Sequence, residues 1–209
     1  MTLEAFAARH PTLWRLSPRG SADGIRRHGL LSAATLAARA GVTLPTGRRR
    51  RAMPFALPDG TPVQVTDNSP LSEAKLARVL DDGLTPADWI AMLNARVFFW
   101  PDRRLGAGNL RARRRFGYVD EWHRFDTAAV LAPAWDRAEI APFNTGATLH
   151  TPPRRGHATF APLDGLDLAE WRERRRRAGA VQGRDAVREV TVRGDLPEAA
   201  SALIGVEHA

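Results

Sequence analysis

A chain of 209 residues with 44% hydrophobic residues is long enough for one domain with its own core, short for two, and too apolar to be disordered. It has no apolar run near the ~20 residues of a membrane helix and no secretory-type start; lacking cysteine, it has neither disulfides nor thiolate metal sites, so a cytoplasmic protein that engages no membrane is expected. The formal net charge is +8, and of 31 basic residues only Lys75 is lysine: GC-rich coding explains the arginine bias, whereas the excess charge favours polyanionic partners, DNA or RNA.

Thr2 is placed to cap a helix over Leu3–Arg9, ended by Pro11, and Leu13-Trp14-Arg15-Leu16 predicts a strand. Ser21 is expected to cap a short helix that stops at Gly29, and Ser32 another over Ala33–Ala40, stopped by Gly41. Pro45 to Gly60 reads as a loop, followed by a strand at Val63-Gln64-Val65. After Ser72, Leu76, Val79 and Leu80 share a helical face. Thr85-Pro86-Ala87-Asp88 has the form of a capping box with proline at the first helical position, opening a helix to about Leu93. Arg96-Val97-Phe98-Phe99-Trp100 predicts a strand buried on both faces. Further strands are expected near His123–Phe125, Glu139–Ala141, His157–Phe160 and Arg188–Val192, with Asp126-Thr127 as a helix cap. Asp167 opens a basic helix over about Leu168–Arg177, and Pro197 a final short helix. Strands and helices do not alternate regularly, which predicts an α+β fold in a single domain over residues 1–209.

The common catalytic signatures are missing: no Gly-x-Ser-x-Gly elbow, no P-loop and no dinucleotide-binding glycine fingerprint. His28 and His123 stand far from any second ligand, and His150 and His157 are seven apart across a proline-rich turn, so no metal site is expected. Three arginine clusters stand out: Arg48–Arg51, then Arg111 with Arg113–Arg115, and Arg172 with Arg174–Arg177. Any one run is an ordinary solvated face, but three in one small chain point to nucleic acid or dinucleotide phosphate. Trp14, Trp89 and Trp100 read as core.

The opening stretch, Leu13-Trp14-Arg15-Leu16 followed by Ile25-Arg26-Arg27-His28-Gly29-Leu30-Leu31, is similar to the start of DarT-type DNA ADP-ribosyltransferases and tRNA 2′-phosphotransferases. The arginines before Met53, with Asp67-Asn68-Ser69-Pro70-Leu71, resemble the DarT stretch in which a catalytic arginine precedes a Ser-Pro turn. Glu189 in Arg188-Glu189-Val190-Thr191-Val192, then Leu196-Pro197 and Leu203-Ile204-Gly205-Val206, parallels that family's glutamate strand and closing helix. The middle, including Phe143-Asn144-Thr145-Gly146-Ala147-Thr148, looks like an uncharacterised bacterial family related to these enzymes. The matches keep their order over nearly the whole chain. Three positions depart from the pattern: Arg15 stands where relatives carry histidine, Thr66 where an arginine is expected, and no aromatic residue precedes the Ser69-Pro70 turn.

The resemblance implies an ADP-ribosyltransferase-like fold, with split antiparallel sheets and short flanking helices. The implied activity is NAD-dependent transfer of ADP-ribose to a nucleic acid, as in toxins or phage-defence effectors. Alternatives are a non-catalytic nucleic-acid-binding module on the same fold, or an RNA 2′-phosphotransferase. In this reading NAD is the substrate, Glu189 and Arg51 are catalytic, and Arg15, Leu16, Ser17, Arg50 and Asn144 bind NAD. Arg50 and Arg51 both suit the phosphate role. Because Val190 and Val192 alternate with Glu189, its carboxylate is expected to leave the core face and stand exposed on its strand.

Overall fold

The computed structural model describes residues 1–149, 151–177 and 187–209, so His150 lies outside them. Helix α1 (Leu3–Arg9) starts at Thr2, whose hydroxyl accepts from the Ala5 N–H at 3.2 Å. Strand β1 (Thr12–Pro18) leads into helix α2 (Ser21–His28). Ser21 does not cap α2. Its hydroxyl donates to the Pro18 carbonyl, and the free N–H groups of Gly20 and Ala22 are taken by Glu121, at 3.0 and 3.1 Å. The cap is thus supplied from another strand, a long-range contact that local spacing does not encode. Helix α3 (Ala33–Arg39) is capped by Ser32 as expected.

The region read as one loop contains strand β2 (Met53–Ala56), which pairs with β3 (Pro62–Val65) in a two-stranded ribbon. Helix α4 (Glu73–Ala77) is one short turn, and α5 (Pro86–Asn94) carries the capping box formed by Thr85 and Asp88. Strand β4 (Arg96–Phe99) buries Val97 and Phe99 but leaves Arg96 and Phe98 half-buried. It therefore lies with one face in the core and one along a cleft, not with both faces in the core. Helix α6 (Arg103–Arg115) has no predicted counterpart, because its core-facing position is not a large apolar residue but Gly106. A Cβ there would lie 2.5 Å from the Trp122 ring and 3.0 Å from the Trp100 ring, so the helix backbone rests directly on the two indoles.

Strand β5 (Asp120–Asp126), helix α7 (Thr127–Leu131, capped by Asp126) and strand β6 (Ala138–Ala141) follow. His157–Thr159 is a 3-10 turn; the strand expected there is the two-residue β7 (Ala161–Pro162). Helix α8 (Leu168–Arg177), strand β8 (Glu189–Arg193) and helix α9 (Ala199–Ala202) come next. Leu203-Ile204-Gly205-Val206, expected to be helical, belongs to strand β9 (Leu203–His208), which pairs with β5. Its β-branched residues and glycine suit an extended chain better than a helix.

The result is an α+β architecture with antiparallel pairing throughout its named strands. One sheet has the order β1-β5-β9, a second β4-β8-β6-β7, and β2-β3 stands apart. The main core lies between the two larger sheets, with Leu13, Phe99, Phe125, Ile140, Val190 and Val192 all within 1% of full burial. A smaller cluster around Leu76, Trp89, Ile90 and Phe160 covers the other face of the second sheet. No helix among the described residues is long and apolar enough to cross a membrane.

The Gly29-Leu30 and Leu196-Pro197 segments meet in space. The Leu30 N–H donates to Leu196 O at 2.9 Å and the Leu196 N–H to Leu30 O at 2.8 Å. The Asp195 carboxylate accepts from the Ser32 N–H at 2.7 Å, fixing the start of α3. Gly29 sits at φ +75°, and a Cβ there would lie 2.4 Å from Leu196 O and 2.5 Å from Pro197 Cα. Gly29→Ala therefore combines a left-handed backbone with a main-chain clash, and is expected to destabilise by about 2 kcal/mol or more. Urea denaturation of the variant beside the wild type measures this; a change under about 0.5 kcal/mol would contradict the packing described.

Candidate active site

Strands β1 and β4 touch at one residue pair and then part. The Trp14 N–H donates to Trp100 O at 2.8 Å and the Trp100 N–H to Trp14 O at 2.7 Å. On one side Asp102, the next residue whose main chain would face β1, instead opens α6, its carbonyl accepting from the Leu105 N–H at 3.0 Å. On the other, the next acceptor along β4, Phe98 O, takes the Arg15 Nη1–H at 3.0 Å instead of a main-chain donor from β1. The strands splay from this point, and a cleft of about 250 Å³ opens between the sheets. The alternation that turns the main chain of Trp14 toward Trp100 turns that of Leu16 toward the cleft.

Glu189 opens β8, an interior strand of its sheet, and only 5% of the residue is exposed. Val190 and Val192 face the main core, so Glu189 and Thr191 face the other way, as the alternation predicts. The carboxylate does not stand exposed as the alternation alone suggested. The 144–148 turn folds over that face and covers it. Glu189 Oε2 accepts from the Thr145 N–H at 3.0 Å and the Thr145 hydroxyl at 2.7 Å. The turn is braced from behind by Arg155, 1% exposed, whose Nη1 donates to Thr145 O and Ala147 O at 3.1 Å each, and by Trp89 Nε1, which donates to Thr145 O at 3.3 Å. Burial pushes the Glu189 carboxyl up to about 7; the two Thr145 hydrogen bonds and the Arg155 charge pull the other way without cancelling it.

The arginines on the cleft differ in how their charge is met. Arg96 donates to Glu139 at 2.9 Å, and Arg113 to Asp120 at 2.8 and 2.7 Å, so both are neutralised. Arg15 and Arg49 have no ion pair among the described residues. Arg49, 6% exposed, is held by Thr66 O at 3.1 Å and Asn94 Oδ1 at 3.0 Å, and its own N–H donates to Asn68 Oδ1 at 2.8 Å. Arg15 keeps an enclosed Nε without a partner, and burial lowers its guanidinium to about 10. The Ser17 hydroxyl, on a residue 5% exposed, is likewise without a partner among the described residues. Buried polar groups are normally hydrogen-bonded, and both of these orphaned atoms belong to residues that line the cleft.

Of the residues singled out in the sequence, Glu189, Arg15, Leu16, Ser17 and Asn144 all line this cleft. Arg50 and Arg51 do not: both side chains are exposed outside it, and Arg49 occupies the cleft in their place. A run of four arginines carries no periodic signal that separates them. The choice is made by Thr66, Asn68 and Asn94, which are distant in sequence. The 66–70 loop does reach the cleft, with Asp67 3.8 Å from Arg113 and the Ser69 hydroxyl accepting from Arg48 at 3.2 Å. Trp89 is fully buried as expected, whereas Trp14 and Trp100 are half-buried and Trp100 forms part of the cleft wall. No cluster of metal-ligating side chains occurs among the described residues.

The chain belongs to the DUF7002 family, a family of unknown function whose model matches residues 11–203. Neither a curated protein nor a solved structure matches it.

The Glu189 environment has a pH signature. The folded carboxyl binds its proton up to about pH 7, while the unfolded one releases it near 4.5. The folded state therefore holds more protons between these values, and stability falls as pH rises through that window. Glu189→Gln keeps the acceptor for Thr145 and removes the titration. Relative to wild type, the variant is expected to gain up to about 3 kcal/mol between pH 4 and pH 8. Parallel denaturant curves at the two pH values measure it, and a pH-independent difference would contradict the buried carboxyl.

Proposed function

We propose that the cleft binds NAD and that the chain transfers ADP-ribose from it to a nucleic acid. The observation that carries this reading is the distribution of charge: two guanidinium groups that form no salt bridge among the described residues, Arg15 and Arg49, share one cleft with the buried carboxyl of Glu189. A pyrophosphate brings two negative charges, which two planar guanidinium forks match. The cleft-facing main chain of Leu16 and the free hydroxyl of Ser17 offer donors and an acceptor to a carboxamide. The 250 Å³ cleft suits the nicotinamide and ribose end of the dinucleotide, with the remainder along its open mouth.

Two antiparallel sheets splayed from one bridge, with Arg15 on one and Glu189 on the other, support the ADP-ribosyltransferase-like fold that the order of motifs implies. The net charge of +8 supports a polyanionic acceptor, and a toxin or phage-defence effector is the setting that agrees with it.

In this reading NAD supplies an ADP-ribosyl group already joined to a good leaving group. Glu189 holds the ribose hydroxyls beside the carbon–nitrogen bond that breaks. Its ionised form stabilises positive charge developing on the ribose. Nicotinamide leaves with the bonding electrons, and the acceptor atom of the nucleic acid bonds to the same ribose carbon. A carboxyl group near 7 is matched to taking up the acceptor's proton at neutral pH. Arg15 and Arg49 anchor the pyrophosphate, and Thr145, held by Arg155, fixes the Glu189 rotamer.

NAD at about 100 times its Kd is expected to raise Tm by roughly 5 °C or more. Arg49→Gln should remove most of that shift. Incubation with NAD and single-stranded DNA or RNA should release nicotinamide and label the nucleic acid, and Glu189→Gln should slow this at least about 100-fold. Consumption of NAD solely with 2′-phosphorylated RNA would select phosphotransfer. A folded protein showing neither a shift nor NAD loss would leave a binding module and sink the enzyme reading.

A further inference from the structure

Two of the three arginine clusters converge on one rim of the cleft. Helix α6 uses Arg113 for structure: its guanidinium pairs with Asp120 and lies 4.5 Å from the Tyr118 ring centre. The other basic residues of its C-terminal half, Arg111, Arg114 and Arg115, are exposed and form no ion pair among the described residues. The helix closes with the Tyr118 N–H donating to Arg113 O at 3.2 Å and the Gly117 N–H to Arg114 O at 3.0 Å, with Gly117 at φ +78°. This reciprocal pair is the glycine stop that suits a helix end. It places Phe116 at the apex with 68% of its surface exposed, the highest of the exposed large hydrophobic residues among those described.

Tyr118 also ties in the other cluster. Its hydroxyl accepts from the Ala52 N–H at 3.2 Å, directly after the exposed Arg50 and Arg51. Asn109 and Arg113 of the same helix line the cleft, so the rim is continuous with the candidate site. The favourable helix dipole accounts for cations in the last turn of α6. It does not account for an exposed phenylalanine among them, nor for a second unpaired pair of arginines anchored alongside.

The geometry points to a docking surface for single-stranded nucleic acid on this rim: Phe116 stacks on an unpaired base, and Arg50, Arg51, Arg114 and Arg115 hold the phosphates on either side of it. It rests on the proposed reading only for the acceptor class, and it stands whether or not NAD is turned over. Charge complementarity selects a polyanion. The aromatic apex selects a strand whose bases are free to stack, since a duplex keeps its faces occupied.

The test uses the full chain without NAD. Fluorescence anisotropy is recorded with a labelled oligo(dT) of about 20 nucleotides and a duplex of equal length, over roughly 50–200 mM salt. The single strand is expected to bind tighter. Phe116→Ala should weaken it about tenfold with little change in salt slope. Replacing Arg114 and Arg115 together by Gln should lower the slope by about 0.7 for each phosphate that is no longer neutralised, and the same change at Arg50 and Arg51 should act alike. All of these side chains are exposed, so each variant should stay folded, with Tm lowered by no more than a few degrees where the helix-terminal arginines are replaced. Equal or tighter binding of the duplex, or an unchanged affinity for Phe116→Ala, would overturn the proposal. Because NAD is absent, such a result leaves the NAD reading to its own thermal-shift test.

Discussion

The two main-chain hydrogen bonds between Trp14 and Trp100 decide the shape of this molecule. They join the two larger sheets at one point and cannot be extended in either direction. Asp102, the next residue due to face β1, opens α6 on one side, and Arg15 takes the Phe98 carbonyl on the other. The strands must therefore diverge, and the wedge between them is the cleft. Trp100 stands edge-on to Trp122 at 5.7 Å, and Trp122 to Trp14 at 6.4 Å, so the bridge is wrapped in indole rings. Helix α6 lies against those rings through Gly106, which brings Asn109 and Arg113 onto the cleft wall. One local pairing thus sets the separation of the sheets and the position of the helix that carries the basic rim.

Electrostatics follow from that geometry. A charged side chain withdrawn from water is costly unless it is paired, and most of the buried charge here is paired. Arg96 meets Glu139, Arg113 meets Asp120, and Glu121 satisfies the start of α2 while lying 2.7 Å from His123 Nε2. Of the groups without an ion pair, Arg155 braces from behind the turn that covers Glu189, while Arg15, Arg49 and Glu189 line the cleft. The stability given up by leaving them unpaired is the physical reason to assign that region to a ligand and not to the scaffold. The rim outside repeats the pattern at lower cost, because exposed arginines are solvated: Arg113 is consumed by the fold and its neighbours are left free.

Legibility of the sequence depended on how local each signal was. Caps written in adjacent residues, such as Thr2, Ser32, Thr85 with Asp88, and Asp126, were readable because donor and acceptor lie within three positions. Alternation was readable too, and placed Glu189 opposite Val190 and Val192. The misses share one cause. Helix α6 has few apolar residues to set a period, and its packing position is a glycine. Strand β9 is a short apolar run whose extended state is selected by its partner β5. The cap of α2 comes from Glu121, about a hundred residues downstream.

Residue order alone was enough for the fold class, most element positions, the excess of positive charge, and the face of β8 on which Glu189 stands. Each of these rests on spacing within a few residues, and hydrogen-bond reach and side-chain period act at that range. It took the folded chain to bury this face under the 144–148 turn, which moves the Glu189 carboxyl from an ordinary surface acid to one near 7. The same holds for Arg49, selected from a run of four arginines through contacts with Thr66, Asn68 and Asn94. Burial and pairing depend on which distant segments arrive at the same place. Residue spacing along one strand carries no record of that.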